Sequence, residues 1–413
     1  MGSLGRQYPI RFMGKDEHLI SPYRLEISGF MAGEEDSQPD ISFYPTPPLS
    51  NNVINIERLT TFFHTVLEEK SNIVFLADEE VTSLLRGLAA TSGKQVPERK
   101  VFFCSLGDIT QLSELYQSLH ADDVILVILS GTFNQSELLA AALSLPHWRK
   151  VFAGPIHGPL AEGARFLQFS FIPVEIAFAR FWQQSELVYL PLLALGEEPA
   201  LLEEGFHIGY RFAPLPALSL AYRLWRAEKS GVNQVIFLSV RECFLYGIGS
   251  ILPLLDESGY GSKNPLNYKI LSPSAFKNYS VEEQMQWKKD TVFFLIKGWE
   301  EEEEKELFIN IPEQLKNNNY LDEQYFSLTG SSLSLLGLAQ EEALDAYLKK
   351  EDSPQVRLHL QGERLENLGG IMAFLHTMSC YNAWLRETDI MNDPPRVEID
   401  ALTWDFWMKR AGK

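Results

Sequence analysis

Short runs of consecutive apolar residues alternate along most of the chain with stretches in which apolar positions recur every three or four residues. Ile73–Ala77, Val101–Cys104, Val124–Leu129 and Lys150–Ala153 read as strands. Helical spacing follows them at Glu79–Ala90, Ile109–Leu119, Leu138–Leu145 and Pro159–Phe166, and a further helix, Ile56–Lys70, precedes the first strand. Val124–Leu129 is Val-Ile-Leu-Val-Ile-Leu, six apolar residues of which half are β-branched, the signature of a strand buried on both faces of a parallel sheet. The pattern then restarts. Helical spacing fills 174–228, and strands are expected at Gln234–Val240, Thr291–Ile296 and Val356–Leu360. Helices are expected at Phe244–Leu255, 333–350 and 368–386. Strand–helix alternation of this kind predicts two doubly wound, mostly parallel α/β domains in tandem. The boundaries read as an irregular arm over 1–55, a first domain over 56–220 and a second over 221–413, which carries the C-terminal helices.

Composition narrows the function classes. A chain of 413 residues, 45% hydrophobic and 22% charged, can bury two ordinary cores. Its formal net charge of −19 argues against nucleic acid or an anionic membrane as the main partner, and any phosphate ligand needs local positive groups. Cys104, Cys243 and Cys380 are widely spaced, form no metal pattern and read as reduced thiols. No metal or cofactor is expected. With no run of 18 apolar residues and no signal-peptide core after Met1, a cytoplasmic protein is expected. The run Glu300–Glu304 reads as a solvated acidic face or loop.

The chemistry of greatest interest sits where Val124–Leu129 ends, at Ser130-Gly131-Thr132. Small hydroxyl residues between a buried strand and a helix start lie where free backbone N–H groups converge, and such a place binds anions, phosphate above all. An ordinary N-cap pair has the same local pattern.

From Ser130 the chain reads Ser-Gly-Thr-Phe-Asn-Gln-Ser-Glu, which resembles the phosphate-binding signature S-K-T-F-T-T-Q-E-T of glucose-6-phosphate isomerases. Other segments are similar to that family in the same order. Ile172-Pro173, Ala179-Arg180-Phe181-Trp182 and Leu190–Gly196 resemble its I-P…G-G-R-F-S…L-L-P…A-G. Asp256-Glu257-Ser258-Gly259 with Lys263 resembles A-E-S-x-G-K with two extra residues. Leu368-Gly369-Gly370-Ile371 through Asn392-Asp393-Pro394-Pro395-Arg396-Val397-Glu398 resembles L-G-A-L…N-P-F-D-Q-P-G-V-E. These segments span about 70–400, and the length is that of the short bacterial forms.

The resemblance implies two sugar-isomerase-type α/β domains, a homodimer, and interconversion of glucose 6-phosphate and fructose 6-phosphate through a cis-enediol. It assigns phosphate binding to Ser130 and Thr132, enediolate stabilisation to Arg180 and proton transfer to Glu257. Arg180 can equally be a surface arginine after a helix, and Glu257 a solvated acid in a Gly/Ser loop.

Several family positions are changed. Gly131 stands where the family has lysine, Asp78-Glu79-Glu80 follows the first strand in place of a glycine-rich turn, and Tyr279 takes the histidine's place. Pro394 replaces a glutamine and Ala401 a lysine. His376 and Tyr381, on the 368–386 helix, and Lys409 and Arg410 are nearby candidates for a rebuilt site, although a lone helix histidine is more often a packing residue. Loss of one stabilising or proton-transferring group costs about 10²- to 10⁴-fold in rate. The sequence therefore admits a weak or altered isomerase, an inactive family member serving as a sugar-phosphate sensor or scaffold, or an isomerase or hydratase acting on a less anionic sugar.

Overall fold

The computed structural model describes residues 17–20, 23–28, 54–92, 96, 99–131, 135–174, 181–259, 262–278, 287, 290–297, 331, 333–350, 354–360, 364–388 and 409–410. The chain forms two compact units that are not contiguous in sequence. One comprises 1–36, 226–245 and 266–364; the other comprises 37–225, 246–265 and 365–413.

Two N-terminal strands, β1 (Glu17–Ile20) and β2 (Tyr23–Ser28), belong to the first of these units. The second unit holds a sheet of five parallel strands: β3 (Asn72–Ala77), β4 (Lys100–Ser105), β5 (Val124–Leu129), β6 (Arg149–Gly154) and β7 (Ser170–Pro173). Their order is β4-β3-β5-β6-β7, with Leu76 level with Ile128 and Ala77 level with Ser105. Every residue of β5 is buried, as its unbroken apolar run requires at the centre of a sheet. The helices α1 (Ile56–Phe62), α2 (Glu79–Thr91), α3 (Ile109–Ser118), α4 (Gln135–Leu143) and α5 (Pro159–Phe166) precede or connect these strands. Leu138 and Ala142 of α4 and Leu160 and Ala164 of α5 pack with Leu126, Ile128 and Phe152 of the sheet. The chain continues through α6 (Glu186–Ala194), α7 (Pro199–Phe212), α8 (Pro214–Lys229), α9 (Glu242–Gly249) and α10 (Leu252–Glu257).

The first unit carries β8 (Gln234–Leu238), β9 (Asn267–Leu271), β10 (Thr291–Lys297) and β11 (Gln355–His359). They pair in parallel in the order β9-β8-β10-β11, and β2 and β1 extend the β11 edge antiparallel to make six strands. Helices α11 (Pro273–Lys277) and α12 (Leu333–Lys350) belong to this unit, whose core joins Phe276, Leu344 and Leu348 to Ile236, Leu238, Phe293 and Leu295. A long helix, α13 (Arg364–Leu385), follows. The two sheets thus share one winding, second-first-third-fourth, and the expected pair of doubly wound α/β domains is what the chain forms.

Four strands escape the apolar pattern. β1 and β2 fall in the stretch expected to be irregular, which corrects that expectation for residues 17–20 and 23–28. β7 and β9 are edge strands of four and five residues with mostly half-buried side chains, so no apolar run announces them. The helix expected over Phe244–Leu255 is divided at Ser250-Ile251, and Pro253 lies in the first turn of α10, where its missing N–H costs nothing. Among the described residues no helix is long and apolar enough to cross a membrane.

Candidate functional site

The order of the five-stranded sheet locates the site. Counted along the chain it is 2-1-3-4-5, so the connections leave β3 and β5 in opposite directions. In open α/β sheets of this order, ligands bind outside the C-terminal strand ends at that reversal. The two turns that flank it are Asp78-Glu79 after β3 and Ser130-Gly131 after β5.

Ser130 is fully buried, and its N–H donates to the Ala153 carbonyl at 2.8 Å, holding the end of β5 against β6. Its hydroxyl donates to the Gly131 carbonyl at 3.2 Å. Among the described residues, a Cβ added at Gly131 meets nothing within 4 Å, at the position where the resembling family has lysine. Gly154 completes the floor, because a Cβ there would lie 3.0 Å from Leu160 Cδ2 and 3.3 Å from the Ser130 carbonyl oxygen. Gly158, at φ +107°, caps α5 beside the Gln135 side chain. Neither glycine stands out in the sequence, because only the pairing of β5 with β6 brings the turn after β6 beside Ser130. Thr132 lies outside the described residues.

The acidic turn is indeed the immediate neighbour, since β3 and β5 pair directly. The Glu79 carboxylate, however, is turned toward the β4 side, with Oε2 3.8 Å from the place a Gly107 Cβ would occupy. The nearby cation Arg86 is engaged: it donates to the Phe103 carbonyl, to Gln111 at 3.0 Å and to Asp108. That bond to Arg86 holds the Asp108 carboxyl below the usual carboxylate range.

Glu257 belongs to the same compact unit and is the last residue of α10, half-buried, so it ends a helix instead of lying in a loop. The following Ser258 is fully buried and donates to the Leu255 carbonyl at 2.6 Å, which fixes that turn. Lys263 is exposed. Arg180, Tyr279, Pro394 and Ala401 lie outside the described residues.

Two polar clusters in the same unit were not legible from sequence. His376 is fully buried; its Nδ1 lies 2.8 Å from the Tyr210 hydroxyl and its Nε2 3.1 Å from Gln183 Oε1. Gln183 Nε2 in turn donates to the Ser250 carbonyl at 2.8 Å. With Phe181 edge-on to its ring, His376 is a packed core histidine, and burial pushes its pKa down to about 3. Glu203 accepts from the Tyr189 hydroxyl and from Gln184 Nε2 at 3.2 Å, and its Oε1 lies 3.0 Å from His207 Nε2. Burial first, and the Glu203 charge second, raise the Tyr189 hydroxyl well above its ordinary pKa. Gln183 and Gln184, whose amides make these bonds, directly follow Phe181-Trp182 in the sequence.

All three cysteines are free, and burial pushes the Cys104 and Cys380 thiols up to about 11 and about 12, away from nucleophilic thiolate. Among the described residues no three His, Cys, Asp or Glu side chains are placed to hold a metal ion.

No protein-family model and no curated protein sequence matches the chain. Solved structures do. A hypothetical protein from Thermus thermophilus superposes with a TM-score of 0.69 at 18% identity, covering 85% of this chain and 87% of that one. A glucose-6-phosphate isomerase from Chlamydia trachomatis superposes with a TM-score of 0.61 at 13% identity, covering 86% and 73%. At such identities the likeness shows the fold alone: two parallel-sheet α/β domains of the kind found in phosphosugar isomerases.

Proposed function

We propose that this chain binds a sugar phosphate at the Ser130-Gly131-Thr132 turn and acts as a phosphosugar isomerase. The observation that carries the reading is the position of that turn, at the reversal of a 2-1-3-4-5 sheet, with the Ser130 backbone held at the strand end and no described residue within 4 Å of a Cβ at Gly131. The finer assignment is interconversion of glucose 6-phosphate and fructose 6-phosphate. In it, the Glu257 carboxylate takes the proton from C2 of the open-chain aldose and returns it to C1. The electrons of the broken C–H bond form the cis-enediol double bond as O1 takes up a proton; when C1 is reprotonated, O2 gives up its proton to solvent and becomes the ketose carbonyl, so the proton gained at O1 is balanced by the one lost from O2. Arg180 offsets the negative charge that develops on O1. A homodimer goes with this assignment, and light scattering reads it out.

A second reading has its own observation. Asp78-Glu79-Glu80 borders the turn, and Gly131 supplies no charge, which favours binding without turnover. A coupled assay converting fructose 6-phosphate separates the two. The isomerase reading expects turnover that falls at least about 10²-fold in Glu257→Gln and in Arg180→Ala. Turnover no faster than buffer, with calorimetric binding of fructose 6-phosphate weakened by Ser130→Ala, establishes the sensor instead. Absence of binding by fructose 6-phosphate and by 6-phosphogluconate sinks both.

A further inference from the structure

The six-stranded sheet has a reversal of its own. Its parallel part runs β9-β8-β10-β11, so the connections diverge between β8 and β10. At the end of β8, Ser239 is fully buried and its hydroxyl oxygen accepts the Arg241 N–H at 3.1 Å. Lys297 is the last residue of β10. On α12 the spacing of Glu341, Leu344, Asp345 and Leu348 puts them on one face. Leu344 and Leu348 belong to the sheet core, so that face is turned to the sheet.

Asp345 is well served there. It accepts from Arg357 Nε of β11 at 2.6 Å, from Lys297 Nζ at 2.8 Å and from Lys349 Nζ at 3.0 Å. Glu341 is not. It is 4% exposed, its Oε1 has no hydrogen-bond partner among the described residues, and the cations acting on it are Lys297 and Arg241. Four cations, Arg241, Lys297, Lys349 and Arg357, gather here around Asp345, Glu341 and Glu342 in a chain whose net charge is −19.

We propose that this reversal is a second binding site, taking a small dianion of the phosphate-ester class between Arg241 and Lys297, with the Glu341 carboxyl group beside them. Burial pushes the Glu341 pKa up to about 7, against the lowering by Lys297 and Arg241, while Asp345 and Glu342 on the same helix raise it further. A neutral Glu341 removes one negative charge from beside Lys297 and Arg241 and offers an O–H donor to the anion; an ionised one competes with the ligand for the same charges. Anion binding is therefore coupled to proton uptake. His359, level with Lys297 across β10 and β11, is the histidine on that edge, and the variants below separate its titration from that of Glu341.

Sulfate is the probe, since its charge is constant through the relevant pH range, and ionic strength is held with chloride. The full chain carries Gly131→Asp to suppress anion binding at the other turn. Calorimetry is expected to show sulfate affinity about tenfold higher at pH 6 than at pH 8, with uptake of about half a proton at pH 7. Glu341→Gln is expected to bind at both pH values without proton uptake, and Arg241→Gln to lose at least about tenfold in affinity at pH 6. Sulfate affinity no different from that for chloride, or unchanged by Arg241→Gln, or a proton uptake that survives Glu341→Gln, overturns the proposal and leaves the cluster a structural ion-pair knot.

Discussion

Gly131 and His376 show how a single residue's meaning depends on its surroundings. Among the described residues nothing lies within 4 Å of a Cβ at Gly131, and it is not among the glycines with positive φ, so a lysine there meets no clash with them. A charge-assisted contact to phosphate, discounted for solvent, is worth about 1.4 kcal/mol, or about tenfold. Gly131→Lys is accordingly expected to tighten fructose 6-phosphate binding about tenfold by calorimetry; unchanged affinity would count against phosphate at this turn. His376 makes the opposite point. It is neutral in the folded state with a pKa of about 3, whereas the unfolded chain takes up its proton near pH 6.5. The unfolded state therefore binds more protons between those values. Stability from this group is fully present above about pH 6.5 and falls on acidification by up to about 1.4 kcal/mol per pH unit. His376→Gln is expected to flatten the stability–pH slope between pH 6 and 4 in urea titrations, whatever its effect at pH 8. The turn at Ser130 was readable from the sequence because the pattern that marks it is local, a hydroxyl between strand and helix. The partners of His376, Tyr210 and Gln183, were not, because they are 166 and 193 residues away.

Among the elements, α7 and α13 cross with their backbones touching. A Cβ at Gly205 would fall inside the Glu366 carbonyl, and one at Gly369 inside that of Leu202; Gly209 similarly faces Gly370 and Ala373. The contacts at Gly205 and Gly369 cannot yield by a side-chain rotation, because the obstructing atoms there are main-chain. Alanine's better helix propensity, about 1 kcal/mol, is expected to be outweighed by overpacking of about 3 kcal/mol or more. Gly205→Ala and Gly369→Ala should each lower the urea midpoint, while Gly131→Ala leaves it within experimental error. The Gly369-Gly370 pair was noticed in the sequence only as part of a family-like motif. Its packing role follows from which helix lies opposite, and no periodicity within α13 contains that information.

For the whole molecule, the unit holding the five-stranded sheet draws on three separate stretches of chain. Residues 37–225 supply all five strands, yet α13 enters from 365 onward. Leu365, Leu368, Ile371, Met372, Phe374, Leu375, Met378 and Tyr381 of that helix are buried. At about 1.5–3 kcal/mol for each large apolar side chain, an upper bound, that burial is as large as the whole roughly 5–15 kcal/mol by which a typical domain is stable. A fragment of residues 37–225 is therefore expected to unfold without a cooperative transition and to bind a hydrophobic dye. A sharp calorimetric transition near that of the full chain would show that α13 is dispensable to this unit.

Residue pattern alone was enough to specify the class of fold and to mark the hydroxyl-bearing turn after β5 as the candidate site. Central strands such as β5 must be continuously apolar to be buried on both faces, and strand–helix alternation leaves few topologies open. The silences of the pattern were physical too. Edge strands β7 and β9 bury too little to need an apolar run, and β1 and β2 extend the sheet only beside β11. The order of the strands, and with it the adjacency of Asp78-Glu79 to Ser130 and of Arg241 to Lys297, was settled in three dimensions. So were the embedding of His376 and the gathering of cations around Asp345 and Glu341. In each case the energy lies in contacts between residues far apart in the chain, which local composition and spacing do not encode.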